Sequence, residues 1–278
     1  MIIVELNDKL KEKLENKNTN IQVVNKEVAT VKSMLSDTKI KKRFEELLGK
    51  KAQGFMSSII NVVNNNAELK QCEATTIIGS AAIAASLDLP IDPNLGFAYI
   101  IPYNTKINGT YVKKAQFQLG YKGFVQLAMR TGMYKTISAT PIYEGEIKSY
   151  NRITSEIELG EPESDVIVGY IAYFKLLNGF EKYLYMTKEE VANHADKFSK
   201  TYKNEYGIWK KDFDGMATKT VLKRLLSKYG MLSIEMNTAL STDQAIITSN
   251  LSSETEDETI EYIDTKYEQE EIKEIQGE

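Results

Sequence analysis

IIPYNTKINGTYVKKAQFQLGYKGFVQLAMR, residues 100–130, decides the fold of this chain. Two runs suited to strands, GFAYIIPY (96–103) and TYVKKAQFQL (110–119), flank Asn108-Gly109. An Asn-Gly pair supplies the positive φ values that a tight antiparallel turn needs, so the two runs predict a hairpin. The second run alternates. Tyr111, Lys113, Ala115, Phe117 and Leu119 share one face, while Val112, Lys114, Gln116 and Gln118 share the other. Gly120 breaks the strand, and a helical period runs from about Lys122 to Arg130.

Upstream of the hairpin the period is helical. Ser36 or Asp37 is placed to cap a helix through about Leu48, with Ile40, Phe44, Leu47 and Leu48 at helical spacing and Gly49 as a stop. A second helix is expected from Gln53 to Val63, before the Asn64-Asn65-Asn66 run. A third, ATTIIGSAAIAASL (74–87), is rich in small residues that permit close packing; it ends at Asp88, Pro90 and Pro93. Downstream, strands are expected at Thr136–Tyr143, Val166–Leu177 and Phe180–Met186. Thr187 with Glu190 three residues on forms a capping box that opens another helix. A last core helix, about Gly215–Tyr229, sets Val221, Leu222, Leu225, Leu226 and Tyr229 on one side. The same wheel puts Lys219, Thr220, Lys223, Arg224 and Ser227 on a solvent-facing stripe. The fold class is therefore α+β: N-terminal helices, a central antiparallel hairpin and sheet with a packed helix, a basic C-terminal core helix and an acidic disordered tail. The expected domains are a mobile arm at 1–33, one core at 34–250 and the tail at 251–278.

Charge is distributed unevenly along the 278 residues, whose net charge is −4. Residues 251–278 hold 11 acidic side chains and 2 basic ones, which leaves residues 1–250 at +5. Residues 197–228 carry nine cations against three acids, a net of +6, with Tyr202, Tyr206 and the single tryptophan, Trp209, among them. Clustered cations bind phosphate backbones by releasing counterions, and flat rings between them suit stacking of unpaired bases. Single-stranded nucleic acid is the partner this pattern fits.

Many enzyme classes are poorly served by this composition. His194 is the only histidine, which argues against triads, histidine-rich zinc sites and histidine relays. Neither GxxxxGK[ST] nor GxGxxG occurs, so nothing points to ATP or a dinucleotide. Cys72 is the only cysteine, forbids an intrachain disulfide and fits a reducing cytoplasm. The sequence holds no apolar run of membrane-spanning length, and MIIVELNDKLKEKLE is unlike a signal peptide. One enzymatic alternative is a metal-dependent nuclease built on the carboxylate pairs Glu144 with Glu146 and Asp212 with Asp214, although solvated acids explain both pairs. A further alternative is a structural oligomer whose basic stripe binds acidic partners, its own tail included.

Three features together resemble the RecT family of phage and prophage single-strand DNA annealing proteins. They are residues 100–132, the pair ADKFSKTY (195–202) and GIWKKDFDGMATKTVLKRLL (207–226), and their order after an Ala-rich helix ending LDLPIDPNLGFAY. The resemblance covers roughly residues 35–235. It implies a protein that binds single-stranded DNA without ATP and assembles with itself as a ring or helical filament. Such a protein pairs complementary strands by way of an annealed duplex intermediate. It works beside a phage exonuclease, and the acidic tail is a candidate for recruiting that nuclease or the host single-strand binding protein.

No catalytic residue, cofactor or metal is called for by that activity. Lys219, Lys223 and Arg224 are expected to meet phosphates from one helix face, and Lys122 to do so at a helix start where backbone amides favour anions. Lys114, Gln116 and Gln118 line one strand face, beside Tyr121. Lys197, Lys200, Lys203, Lys210 and Lys211 complete the basic set. Tyr202 is the favoured stacking ring, whereas Trp209 and Tyr121 fit a core role equally well. His194, on a polar helix, reads as a surface side chain.

Overall fold

The computed structural model describes residues 31–107, 110–199, 202–203, 207–231, 233–249 and 258–262. The Asn108-Gly109 turn, Lys200, Tyr206 and most of the N-terminal arm and acidic tail lie outside the described residues. The chain forms two compact units. One contains the sequence up to Gln118 together with Gln244–Glu261, and the other contains Leu119–Asp243.

The first unit is built on the expected helices and hairpin. After a helical segment at 31–36 come α1 (Thr38–Leu48), α2 (Ala52–Asn64) and α3 (Ala74–Ser86). Asp37 caps α1 by accepting from the amides of Lys39 and Ile40. Ile40 and Phe44 turn inward, but Leu47 is exposed, so the apolar stripe is narrower than its spacing suggested. β1 (Ala98–Ile107) pairs with β2 (Thr110–Leu119), and β8 (Ala245–Ser249) pairs with β9 (Glu258–Tyr262). β9 falls inside the segment expected to be a disordered tail.

β2 is tied down beyond its ladder with β1. The Glu73 amide donates to the Lys113 carbonyl at 3.0 Å, and the Ala115 amide donates to Thr76 Oγ1 at 2.8 Å. The Gln244 amide donates to the Phe117 carbonyl at 2.9 Å. α3 is buried almost all round. Small side chains let β8 approach it backbone to backbone. A Cβ on Gly79 would stand 2.2 Å from the Ile247 carbonyl oxygen.

The second unit opens with α4 (Tyr121–Arg130), immediately after β2 as the sequence predicts. β3 (Tyr134–Tyr143), β6 (Ile167–Leu176) and β7 (Glu181–Thr187) form an antiparallel sheet in the order β3-β6-β7. Its register pairs Ala139 with Ala172 and Tyr173 with Tyr183. β4 (Ile147–Tyr150) and β5 (Ile157–Leu159) make a small hairpin of their own, unforeseen in the sequence. α5 (Lys188–Phe198) begins with the expected capping box of Thr187 and Glu190. The short α6 (Ile208–Lys211) leads into α7 (Phe213–Tyr229), which packs on the sheet through Val221, Leu222, Leu225 and Leu226, all fully buried. α8 (Ile234–Thr242) closes the unit. Among the described residues, no helix is long and apolar enough to cross a membrane.

Gly79→Ala is expected to destabilise the protein by about 1–3 kcal/mol, the usual cost of forcing an atom into a packed interior. The wild-type contact is with backbone, which a rotamer change cannot relieve. Urea unfolding of the two proteins measures the difference.

Candidate nucleic-acid interface

Lys219 is not on an open stripe. It is 9% exposed, and Asp243, at 1%, lies beside it. Lys219 Nζ is 3.9 Å from Asp243 Oδ1, and Lys223 Nζ is 3.0 Å from Asp243 Oδ2. The Leu119 amide donates to Asp243 Oδ1 at 2.8 Å. Burial pushes the Asp243 carboxyl up, but the two lysines and the amide outweigh it and hold the group below the usual carboxylate range. Burial lowers the Lys219 ammonium, with Asp243 opposing. The expected solvent-facing stripe is thus corrected: Lys219 and Lys223 face a buried carboxylate, Thr220, Arg224 and Ser227 are half-buried, and Lys228 is exposed. The physical reason lies in the helix itself. Residues seven apart differ by only about 20° around an α-helix, so Lys219 rides above buried Leu226.

The strand-face expectation is corrected too. Lys114 and Gln116 are buried in the first unit and Gln118 is half-buried. Gln116 Nε2 donates to the Gln244 carbonyl, and Gln118 Nε2 donates to Gln116 Oε1 at 3.1 Å. The alternating face is covered because the start of α3 and the Gln244 segment both bond to β2.

The segment before α7 divides by chemistry. Trp209 is 4% exposed and packs edge-on against Tyr202 at 5.7 Å and Phe213 at 5.6 Å. Phe213 in turn meets Tyr170 at 6.1 Å. This file of rings ties the segment to α7 and β6, so Trp209 is a core anchor. Tyr202, half-buried, has Lys210 Nζ 5.8 Å above its ring. The cations stay outside: Lys122, Lys197, Lys203, Lys210 and Lys211 are exposed, with Lys203 pairing loosely with Asp196 at 3.2 Å. Tyr121 is half-buried, and its hydroxyl accepts from the Ala139 amide at 3.2 Å, a bond that docks α4 on β3.

His194 is no solvated surface residue. Its Nδ1 lies 3.0 Å from Arg224 Nη1, and its ring lies 4.6 Å from that of Phe198. Burial, then Arg224, Lys223 and Lys197, hold the imidazole down at about 3, so it is neutral at pH 7 and Nδ1 is the acceptor. Sequence reasoning read His194 as a surface side chain and passed over Asp243. The signal available for Asp243 was a lone acid, 24 residues after a lysine in register with leucine, separated from the apolar run AII by Gln244 alone.

Each acid of the suggested nuclease pairs has a structural partner. Asp212 caps α7 by accepting from the Gly215 amide at 3.0 Å, and Asp214 accepts from the Tyr170 hydroxyl. Glu144 accepts from Ser164 Oγ at 2.9 Å, and Glu146 from the Tyr143 amide at 2.8 Å. Among the described residues, no group of three or more His, Cys, Asp or Glu is assembled to hold a metal.

A hairpin runs directly into a helix, and exposed cations lie along one later segment. The RecT family model matches residues 53–263, and the chain belongs to the RecT family. It is 48% identical over 236 residues to the uncharacterized protein YqaK of Bacillus subtilis (strain 168), covering 84% of this chain and 78% of that one. It is 29% identical over 179 residues to Protein RecT of Escherichia coli (strain K12), covering 63% of this chain and 65% of that one.

Asp243→Asn leaves two lysines facing a neutral group in the interior and is expected to cost about 3–5 kcal/mol of stability in urea unfolding. The His194 pH dependence has a definite sign. The folded value of about 3 lies below the ordinary value of about 6.5, so the unfolded state takes up the proton first. Stability therefore falls as pH drops from about 6.5 towards about 3. A His194→Asn protein is expected to show a flatter unfolding-midpoint profile across that window.

Proposed function

We propose that this protein binds single-stranded DNA without ATP and anneals complementary strands as a homo-oligomer, a ring or helical filament, in phage-type recombination in the bacterial cytoplasm. One observation carries the reading. In the 197–228 segment the described aromatic rings turn wholly or partly inward while Lys197, Lys203, Lys210, Lys211 and Lys228 stay exposed. Such a surface grips phosphates and leaves base edges unread. An annealing protein needs that division, because Watson–Crick pairing with the incoming strand has to decide the outcome. Neutralising one backbone lowers the repulsion between two polyanions, and no bond is made or broken.

Lys122, Lys197, Lys203, Lys210, Lys211 and Arg224 are the proposed phosphate contacts, with Tyr202 as a partial platform. Lys200 belongs with them by sequence. Lys219, Lys223, Tyr121 and Trp209 act from within the second unit, holding the surface that carries the contacts; Lys114, Gln116 and Gln118 serve the packing of the first unit. We assign residues 34–250 to binding, annealing and assembly, and residues 251–278 to recruiting a phage exonuclease or host single-strand binding protein.

The deciding assay mixes two complementary labelled oligonucleotides with EDTA and no nucleotide. Protein-dependent duplex formation with full-length strands is the expected result, and its absence overturns the reading. In the same conditions Lys210→Ala with Lys211→Ala is expected to weaken binding. It should also shallow the plot of log K against log salt by about 1.4, two phosphate contacts at about 0.7 each on a single strand.

A further inference from the structure

The three-stranded sheet of the second unit ends in two surfaces of opposite character. β3 and β6 are each ten residues long and run antiparallel, so the Tyr134–Leu176 pair stands at one end and the Tyr143–Ile167 pair at the other. At about 3.3 Å per residue the two ends lie roughly 30 Å apart.

Large apolar side chains gather in the open at the first end. The Leu177 amide donates to the Met133 carbonyl at 2.9 Å, and the Met231 amide donates to the Tyr134 hydroxyl at 2.8 Å. Tyr134 packs edge-on against Phe174 at 5.5 Å, and Phe174 meets Phe180 at 5.9 Å. Leu177, Phe180 and Met231 are thereby held around the start of β3, yet all three are exposed, Leu177 at 64%. Ile234, at the start of α8, is 83% exposed. Exposed Lys135 and Lys228 flank these side chains in the sequence. The acids of this end already have cations beside them: Glu181 pairs with Lys175 at 3.0 Å, and Glu235 lies near Arg130.

The other end is acidic. The Glu144 amide donates to the Val166 carbonyl at 2.9 Å, and the Glu163 amide donates to the Glu144 carbonyl at 2.8 Å. These bonds bring together Glu144, Glu161, Glu163 and Asp165, all exposed. Lys148, whose side chain lies across Gly160, offsets one of them. The stretches 136–147 and 153–174 contain no lysine or arginine. Leu159 and Val166 stand exposed among the acids.

We propose that copies of this chain associate head to tail, the Leu177–Phe180–Met231 end of one sheet docking on the acidic Glu144–Val166 end of the next. The inference rests on the homo-oligomer reading and supplies its interface. An exposed group of large apolar side chains marks a surface that another protein covers. Charge selects which protein. Pairing this end with itself would set Lys135 and Lys228 against their own copies, whereas the acidic end offers them Glu161 and Asp165 and offers the apolar centre Leu159 and Val166. Two different surfaces on one chain make a contact that repeats from copy to copy. It closes into a ring where the rotation returns to its start and otherwise winds into a helical filament. None of the proposed phosphate contacts belongs to either surface, so assembly and DNA binding are separable by mutation.

The test measures the mass of the full-length chain by light scattering after gel filtration, with and without a long thymidine oligonucleotide, and checks folding by circular dichroism. Wild-type protein is expected to run well above the 31.5 kDa of one copy. Lys135→Glu with Lys228→Glu, and separately Glu161→Lys with Asp165→Lys, should each weaken self-association at least about tenfold, because like charges then oppose across the contact. Leu177→Asp should weaken it as much and leave the melting temperature unchanged, since that side chain already faces water. An equimolar mixture of the two charge-reversed proteins should assemble again, because each end of one then finds an end of opposite charge on the other. Wild-type assembly by a folded charge-reversed protein or by Leu177→Asp, or a mixture that stays unassembled, overturns the head-to-tail contact and leaves the homo-oligomer reading standing. Wild-type protein that is monomeric both with and without DNA overturns that reading, and this inference with it.

Discussion

A carboxylate shut away from water dictates much of how the second unit is put together. An isolated buried charge costs several kcal/mol, and Asp243 is tolerable only because two ammonium groups and one amide converge on it. That requirement fixes the roll of α7, since Lys219 and Lys223 have to reach inward. It claims the Leu119 amide, which donates to the carboxylate at 2.8 Å. It also fixes the end of α8, which delivers the acid. Replacing any member leaves the others with charge or donors unmatched, so the four groups stand or fall together.

With those charges drawn inward, the exterior of the basic segment is simpler than its composition implies. Rings that would suit stacking on bases are mostly spent on one another, Tyr202 on Trp209, Trp209 on Phe213, Phe213 on Tyr170. What faces solvent is largely ammonium. Ammonium groups recognise a sugar–phosphate backbone with little regard to sequence, and their hold weakens as salt rises. A surface of this kind holds a strand without distinguishing it from any other strand.

Local signals in the sequence were faithful. The hairpin and the helix after it, the Asp37 cap, the Thr187–Glu190 box and the apolar stripe of α7 all stand where short-range spacing put them. Signals that depend on a distant partner were not. Lys219 was read as solvated because its charge was weighed above its register with Leu226, and the acid that makes its burial possible is 24 residues away. Gln116 and Lys114 were read as an open face because alternation says nothing of what will cover a strand. Its cover comes from Thr76 and Gln244, on opposite sides of it in the sequence. His194 looked like one polar residue among many on α5, and its contact with Arg224, 30 residues later, leaves no trace in local spacing.

The close approach of Gly79 to Ile247 ties the first helices to a strand made very late. During synthesis, residues 119–243 emerge from the ribosome before β8 exists. The second unit therefore has its helices and its sheet while the first still lacks β8 and β9. Until Ala245–Ser249 arrive, the flank of α3 against which β8 will lie is bare hydrocarbon, the kind of surface that chaperones hold. The N-terminal helices, although translated first, thus depend for their packing on residues made more than 150 positions later.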